Sequence, residues 1–489
     1  LASSPTASVP ARWGFLISTL SFFPLLAIVL LTGCGPSVNR YALIETSLRD
    51  HNPQGADAIV QSAEKEYGDK SRLLYGMDRG MTLQLVGDYQ QSNTVLEAAE
   101  EELDRLYTRK IRTETFAFMT NDTALPYEGD PYEQVLINVL KAINYAVLGQ
   151  WQDALVEARR IDHRLNVLSD RTTEKNAYRD DGFARYLSGI LYESTGNVND
   201  AFISYRNAYE AFEAAHPWSH TAVPSQLRTD LLRTAEVLHF TQELAEYKSI
   251  FPDTKWETSQ TLQQLAQVVV ISYNGRAPRK EDRFLDLPIS LNALQLVLLN
   301  RGFSQSERNR GVDTILYGLN GQVVRVALPR IVPQKTHVPL DRVSLIPDNG
   351  TIVTLNTELV HNVTALAEKA LSEKMAGLTV KALARAATKY AFAEGMTRGA
   401  RQVAGKDEGP WVGLLVGLLM KGWAVASEEA DKRSWQTLPD EIHLARAWVP
   451  PGHYRVQISE SHDALLPEAM RTLSLGPGET AVLIQRVMP

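Results

Sequence analysis

The sequence predicts an α+β protein in which an N-terminal α-solenoid of helical repeats is followed by a mixed β-region with a long helical excursion and by C-terminal β-strands. Three observations lead there. From Ser37 to about Phe251, apolar residues recur three and four apart, as they do on the buried face of a helix. Within that stretch a set of small residues returns at fixed offsets. Near Leu265 the period changes, and Gln267 to Ser272 holds the run Val-Val-Val-Ile, β-branched as strands prefer.

The chain begins with an apolar stretch. Gly14 to Leu31 is apolar apart from Ser18, Thr19 and Ser21, follows Arg12, and ends in Leu31-Thr32-Gly33-Cys34. That tetrapeptide resembles the bacterial lipobox, in which the small residues Thr32 and Gly33 admit the chain to the lipoprotein signal peptidase and the Cys34 thiol takes up diacylglycerol. Residues 1–33 are then a signal peptide and Cys34 the first mature residue. An uncleaved signal anchor is the alternative; Pro24 and the position of the lipobox disfavour it. Acyl chains contribute about 0.8 kcal/mol per buried methylene, so two or more hold a protein without a spanning helix. By resemblance to enteric lipoproteins, Gly35 in place of an aspartate favours the outer membrane over the inner, and the periplasmic face is expected rather than the cell surface.

Cys34 is the sole cysteine, which excludes an intramolecular disulfide and a thiolate zinc site within one chain. A net charge of −7 provides no basic field, so nucleic acid is not an expected partner. At 489 residues the chain exceeds one ordinary core, and several units are expected.

The helical repeats span residues 34–255. In the first copy Gly80 is followed by Gly87, Ser92, Leu96 and Ala99. The second has Ala142, Gly149, Ala154 and Ala158 at matching offsets, and the third has Gly189, Gly196, Ala201, Tyr205 and Ala208. A small residue late in one helix, a glycine at the turn and small residues on the next helix make a close-packed hairpin. The spacing resembles the tetratricopeptide repeat, although the turn glycines lie 62 and 47 residues apart rather than the roughly 34 of a regular array. Gln226 to Ile250 is expected to add one more pair. Tyr127, Tyr145, Trp151, Tyr178 and Tyr192 are the candidate partner-binding or repeat-packing residues. Phe116 to Pro131 reads as an irregular loop, and its Tyr127, like Tyr132 and the later Arg179, Asp180 and Asp181, is either a ligand contact or, as the default, part of a solvated loop.

Residues 256–350 form the strand-rich region. After Gln267–Ser272 its strands are Val312–Tyr317, Gln322–Val332 and Val343–Ile346. Residues 351–436 are the helical excursion: Glu358 to about Arg401 reads as two consecutive helices. Trp411 to Ala430, with Gly413 and Gly417, is too short to span a bilayer and reads as a buried hairpin. Residues 437–489 return to strands at Glu441–Val449, His453–Ser459 and Thr480–Val487, with a turn at Pro450-Pro451-Gly452. These last strands are expected to join the earlier ones in one sheet system.

The lipobox, the hairpins, the middle strands, the alanine-rich helices and the run Ala430-Asp-Lys-Arg-Ser-Trp435 ahead of Leu438-Pro439 together resemble a poorly characterised family of bacterial tetratricopeptide-containing outer-membrane lipoproteins. The resemblance implies a role in the cell envelope and carries over no catalytic residue.

Catalytic signatures are missing from the sequence. No Gly-x-Ser-x-Gly elbow, His-Glu-x-x-His helix or phosphate-cradling loop occurs, and neither a cofactor nor a metal is expected. His216 and His220 have ligand spacing, but Pro217 between them argues against a helix. Glu358 with His361, and His453 with Asp463, read as chance acid–base pairs, and Arg159, Arg160 and Arg164 as a solvated basic edge. The function that follows is a membrane-anchored scaffold, bound to lipid through acylated Cys34 and to an envelope protein through the repeats. An envelope enzyme acting on glycan or peptidoglycan within Gln267–Ile346, or a structural subunit of a secretion or surface assembly, is the alternative.

Overall fold

A computed structural model describes residues 38–113, 123, 125–170, 180–290, 323–335, 342–403, 429–459 and 471–488. Helical hairpins come first. α1 (Val38–Arg49) pairs with α2 (Pro53–Ser62); a single turn, α3 (Glu64–Tyr67), leads to α4 (Arg72–Val86), which pairs with α5 (Tyr89–Thr113). Three further pairs follow: α6 (Pro131–Val147) with α7 (Trp151–Asp170), α8 (Gly182–Ser194) with α9 (Val198–Ser219), and α10 (Ser225–Val237) with α11 (Thr241–Ile250). Each hairpin packs on the next, α2 on α4, α5 on α6, α7 on α8 and α9 on α10.

One backbone device closes all five. At the end of each first helix a residue turns left-handed: His51, Gly87, Gly149, Gly196 and His239, with φ between 53° and 92°. Its N–H bonds back three residues and the next N–H bonds back five, as in Gly87 N to Gln84 O at 3.0 Å and Asp88 N to Leu83 O at 3.0 Å. His239 and Phe240 repeat the pair at 3.1 and 2.9 Å, His51 and Asn52 at 3.2 and 2.9 Å. These bonds satisfy carbonyls that the helix end leaves orphaned. The hairpin at His51 escapes the glycine pattern because a histidine takes the left-handed position. Small residues set the helix spacing, as expected: a Cβ on Gly80 would meet Leu96 Cδ2 at 2.4 Å, and one on Gly189 the Tyr205 ring at 2.4 Å.

A short helix, α12 (Ser259–Leu262), leads to the strands β1 (Ala266–Asn274), β2 (Arg279–Pro288), β3 (Val323–Val332), β4 (Arg342–Pro347), β5 (Val353–Asn356) and β6 (Glu358–Asn362). The helix α13 (Val363–Val403) intervenes before β7 (Glu441–Val449), β8 (Gly452–Ser459), β9 (Arg471–Leu475) and β10 (Thr480–Val487). Among the described residues two four-stranded sheets result, β10-β1-β7-β6 and β5-β4-β8-β9, beside a β2–β3 ribbon. β1 is parallel to β10 and antiparallel to β7.

Every residue of β1 is buried, which explains its continuous apolar run. On one face Val269, Ile271 and Tyr273 join the core shared with the helices. Its other face, Val268 and Val270, meets Val343, Leu345, Tyr454 and Val456 of the second sheet. The layers are therefore helices, first sheet, second sheet. α13 covers the ribbon, with Leu383 and Ala386 against Val324 and Val326.

Several expectations are corrected. The late strands do join the early ones, but in two sheets: β7 and β10 flank β1, whereas β8 extends from β4. Glu358 to Asn362 is a strand, drawn into the first sheet by β7. Beyond it runs one uninterrupted 41-residue helix rather than two; Gly377, a natural breaking point, sits inside it. α9 continues through Pro217 to Ser219; the proline forfeits its N–H bond to the Glu213 carbonyl, with only two helical residues left beyond it. Val312–Tyr317, and Trp411 to Glu428 with Gly413 and Gly417, lie outside the described residues. Among the described residues no helix is long and apolar enough to cross a membrane.

Candidate functional site

The first helices of the hairpins carry buried polar groups on the face turned toward the sheet. Such a face is where a helical-repeat groove would hold a partner's peptide. Here the chain's own C-terminal part occupies it, at two places.

The first place lies over α4 and α6. Residues 429–435, which have no regular structure, run across it as an extended strap. Trp435 is buried; its backbone N–H donates to Glu133 Oε1 at 2.8 Å and its indole N–H to Thr437 Oγ1 at 2.9 Å. The Thr437 hydroxyl donates to Asp78 Oδ1 at 2.9 Å, while Tyr41 and Tyr67 donate to Asp78 Oδ2 at 2.7 and 2.8 Å. Burial pushes the Asp78 carboxyl up to about 6 although these bonds pull the other way. Arg433 stacks 5.3 Å from the Tyr127 ring centroid, pairs with Asp431 at 2.7 Å and donates to the carbonyls of Lys70 and Leu125 at 3.2 and 3.0 Å. Asp130, the N-cap of α6, accepts from Lys280 at 2.8 Å and Lys374 at 2.6 Å. Burial opposes ionisation of Asp130, but the two lysines outweigh it and hold the carboxyl far below its usual range.

The second place lies over α8 and α10. Arg446 of β7 is buried and donates to Asp230 Oδ2 and Glu193 Oε2, both at 2.6 Å, and to the Tyr205 hydroxyl at 3.2 Å. Arg233 also bonds both carboxylates, reaching Asp230 Oδ1 at 2.7 Å. Tyr186 donates to Asp230 at 3.1 Å and Tyr205 to Glu193 at 2.7 Å. Burial would raise the Glu193 carboxyl, yet Arg446 and Arg233 hold it down at about 2. Two guanidiniums, two carboxylates and two phenols thus bond one another across the helix–sheet junction, with Arg233 Nε left buried and without an acceptor among the described residues. Farther along, His361 of β6 approaches Asp181, the N-cap of α8, at 3.5 Å.

A different groove stays open between α5 and α7. It holds about 630 Å³ and is lined by Asn93, Glu97, Glu101, Tyr145, Asp153 and Arg160, among others. Beneath it Lys141 is fully buried, bonded to Glu97 and, at 2.8 and 3.1 Å, to Glu100 and Glu157. Arg160 bonds the same three acids.

Of the described candidate residues, Tyr145 alone lines this groove. Tyr127, expected in a solvated loop, is buried with its hydroxyl on Glu133 Oε2 at 2.5 Å, and Tyr132 is buried beside it; the loop is drawn inward by Tyr127 N donating to Lys70 O at 2.7 Å. Trp151 packs half-buried against the helical core, and Tyr192 is buried near the end of α8. Arg160 and Arg164 pair with carboxylates, Arg164 in a buried position, so the basic edge is largely not a solvated one. Cys34, Leu31, Thr32, Gly33 and Tyr178 lie outside the described residues. No cluster of three or more metal-ligating side chains occurs among the described residues. Sequence reasoning missed Arg446 and Trp435. The available signal was an arginine inside the otherwise apolar register of β7.

No protein-family model matches the chain, and no curated protein matches it. Solved structures with a loose likeness include MamA (TM-score 0.27, 12% identity, 42% of this chain and 91% of that one) and residues 41-end of MamA from Desulfovibrio magneticus RS-1 (0.28, 14%, 45% and 96%). PilW, a type IV pilus biogenesis factor, overlaps at a TM-score of 0.22 with 16% identity over 43% of this chain and 90% of its own. Each overlap covers less than half of this chain, and no function follows from likeness at that level.

Proposed function

We propose that the chain is a lipid-anchored scaffold of the bacterial envelope, held at the outer membrane through Cys34, which receives a protein partner on the open groove between α5 and α7. The observation that carries this reading is the contrast between two surfaces of the hairpins. The sheet-facing surface is filled by the chain's own strap and by β7, so a partner's peptide has no place there while they remain. By contrast the α5–α7 groove is open, spans two hairpins, and presents Glu97, Glu101 and Asp153 around Tyr145. Acidic walls suit a basic segment, and charge complementarity chiefly sets specificity and encounter rate.

Two measurements test the two halves. In cells fed labelled palmitate, wild-type protein takes up the label and Cys34→Ala does not; an unlabelled wild type removes the anchor. Crosslinking in intact cells through a photoreactive residue at Val156, which also lines the groove, recovers one partner, and Asp153→Lys with Glu101→Lys lowers its yield about tenfold or more. A partner captured equally well by the doubly reversed variant overturns the groove assignment.

A further inference from the structure

A second cavity, of about 760 Å³, lies between α1, the strap, the start of β2 and the end of β10. Among the described residues that line it, six are cationic and four are carboxylates. Five of the cations have carboxylate partners: Arg276 with Glu45, Arg279 with Glu281, Lys280 with Asp130, Lys432 with Asp282, and Arg433 with Asp431. Arg486 differs. Its Nη2 donates to the carbonyls of Gly275 and Leu438 at 2.9 and 3.2 Å, while Nε and Nη1 are buried with no acceptor among the described residues. No described carboxylate pairs with it. A guanidinium removed from water without a counter-charge is costly, and burial accordingly lowers its pKa to about 10.

The other wall is apolar. Ile44, Leu48 and Leu74 line the cavity with Met488, and Met488 packs on Ile44 and Leu48. Arg486 of β10 and Met488, one residue past its end, are two apart and line the same cavity, which puts the unmatched cation and the apolar wall side by side.

We propose that this cavity binds an anionic amphiphile, a phosphate or carboxylate head set by Arg486 and the cations of the strap, with an apolar chain along Ile44, Leu48 and Met488. The head supplies a counter-charge that no described carboxylate gives Arg486, and the chain lies along the apolar wall. Neither contribution depends on the partner groove or on the lipid at Cys34.

The test is calorimetric titration of the purified full chain with dodecyl phosphate, inorganic phosphate and dodecyl maltoside. Expected is one dodecyl phosphate per chain, with inorganic phosphate at least tenfold weaker and dodecyl maltoside not binding. Arg486→Gln weakens dodecyl phosphate by tenfold or more. Should that variant fail to fold, Lys432→Glu at the half-exposed mouth weakens it severalfold, and Leu48→Glu removes the advantage of dodecyl phosphate over inorganic phosphate. Equal binding of dodecyl maltoside points to nonspecific apolar uptake, and equal binding of inorganic phosphate to a site for free anions; either result overturns the proposal, as does unchanged affinity in both Lys432→Glu and Leu48→Glu.

Discussion

Arg446 sits where a charge is costly, on a strand buried on both faces, and what makes it tolerable is that Asp230 and Glu193 meet it at 2.6 Å each. Removing one member of such a group leaves the others unmatched, and the cost is typically 3–5 kcal/mol. Arg446→Met is therefore expected to lower the unfolding free energy by about 3 kcal/mol or more, read from urea titration, whereas loss of an exposed, solvent-screened pair such as Arg325–Asp286 changes it far less. The pH response follows with defined signs. Glu193 is held at about 2, below its ordinary value, so it contributes stability that is present above about pH 4.5 and is lost as pH falls toward 2. In Arg446→Met that loss is smaller. Asp78 has the opposite sign: raised to about 6, it binds a proton more readily folded than unfolded, so its contribution declines as pH rises from about 4 to 6. Asp78→Asn is expected to flatten that part of the stability–pH curve; an unchanged slope contradicts the assignment.

At the scale of the element, the hairpin is defined by its left-handed turn and its close helix contact. His239 holds φ 57°, a conformation costing an ordinary residue roughly 1 kcal/mol that glycine avoids. His239→Gly is expected to stabilise the fifth hairpin by several tenths of a kcal/mol up to about 1, measured as a rise in the urea midpoint. Gly189→Ala works the other way, because its Cβ lands 2.4 Å from the buried Tyr205 ring. The ring is held by Glu193 and Arg446 and cannot swing aside, so a loss of about 1–3 kcal/mol is expected. No change in midpoint would contradict the packing. Gly149, with open space around its Cβ position but φ 69°, is limited by conformation alone.

For the whole molecule, one core contains residues from every hairpin after the first together with Ile271, Trp435, Ile442 and Val482 of the sheet and strap. Helices and first sheet are therefore expected to unfold together. Helical circular dichroism at 222 nm and near-ultraviolet dichroism of the aromatic side chains should give coincident urea transitions; two separated transitions would show that the hairpins stand alone. Deleting residues from 429 onward strips partners from Asp78, Glu133, Glu193 and Asp230 at once. The shortened chain is expected to lose cooperative melting rather than to become a better peptide binder.

Local order was legible from the residues themselves. Apolar spacing, turn glycines and β-branched runs each depend on neighbours within a few positions, so the hairpins at Gly87, Gly149 and Gly196 and the strands β1, β7 and β10 could be placed, as could the small residues at Gly80 and Gly189. Where a histidine stands for the turn glycine, as at His51, the same element was invisible, because the left-handed backbone is chosen by the bonds closing the turn and not by residue type alone. What fills the helical groove was decided only by tertiary structure. Arg446 reaches Glu193 across 253 positions of chain and Trp435 reaches Glu133 across 302, and at such separations buried charges and polar groups find partners through the arrangement of layers, which no periodicity along the chain encodes.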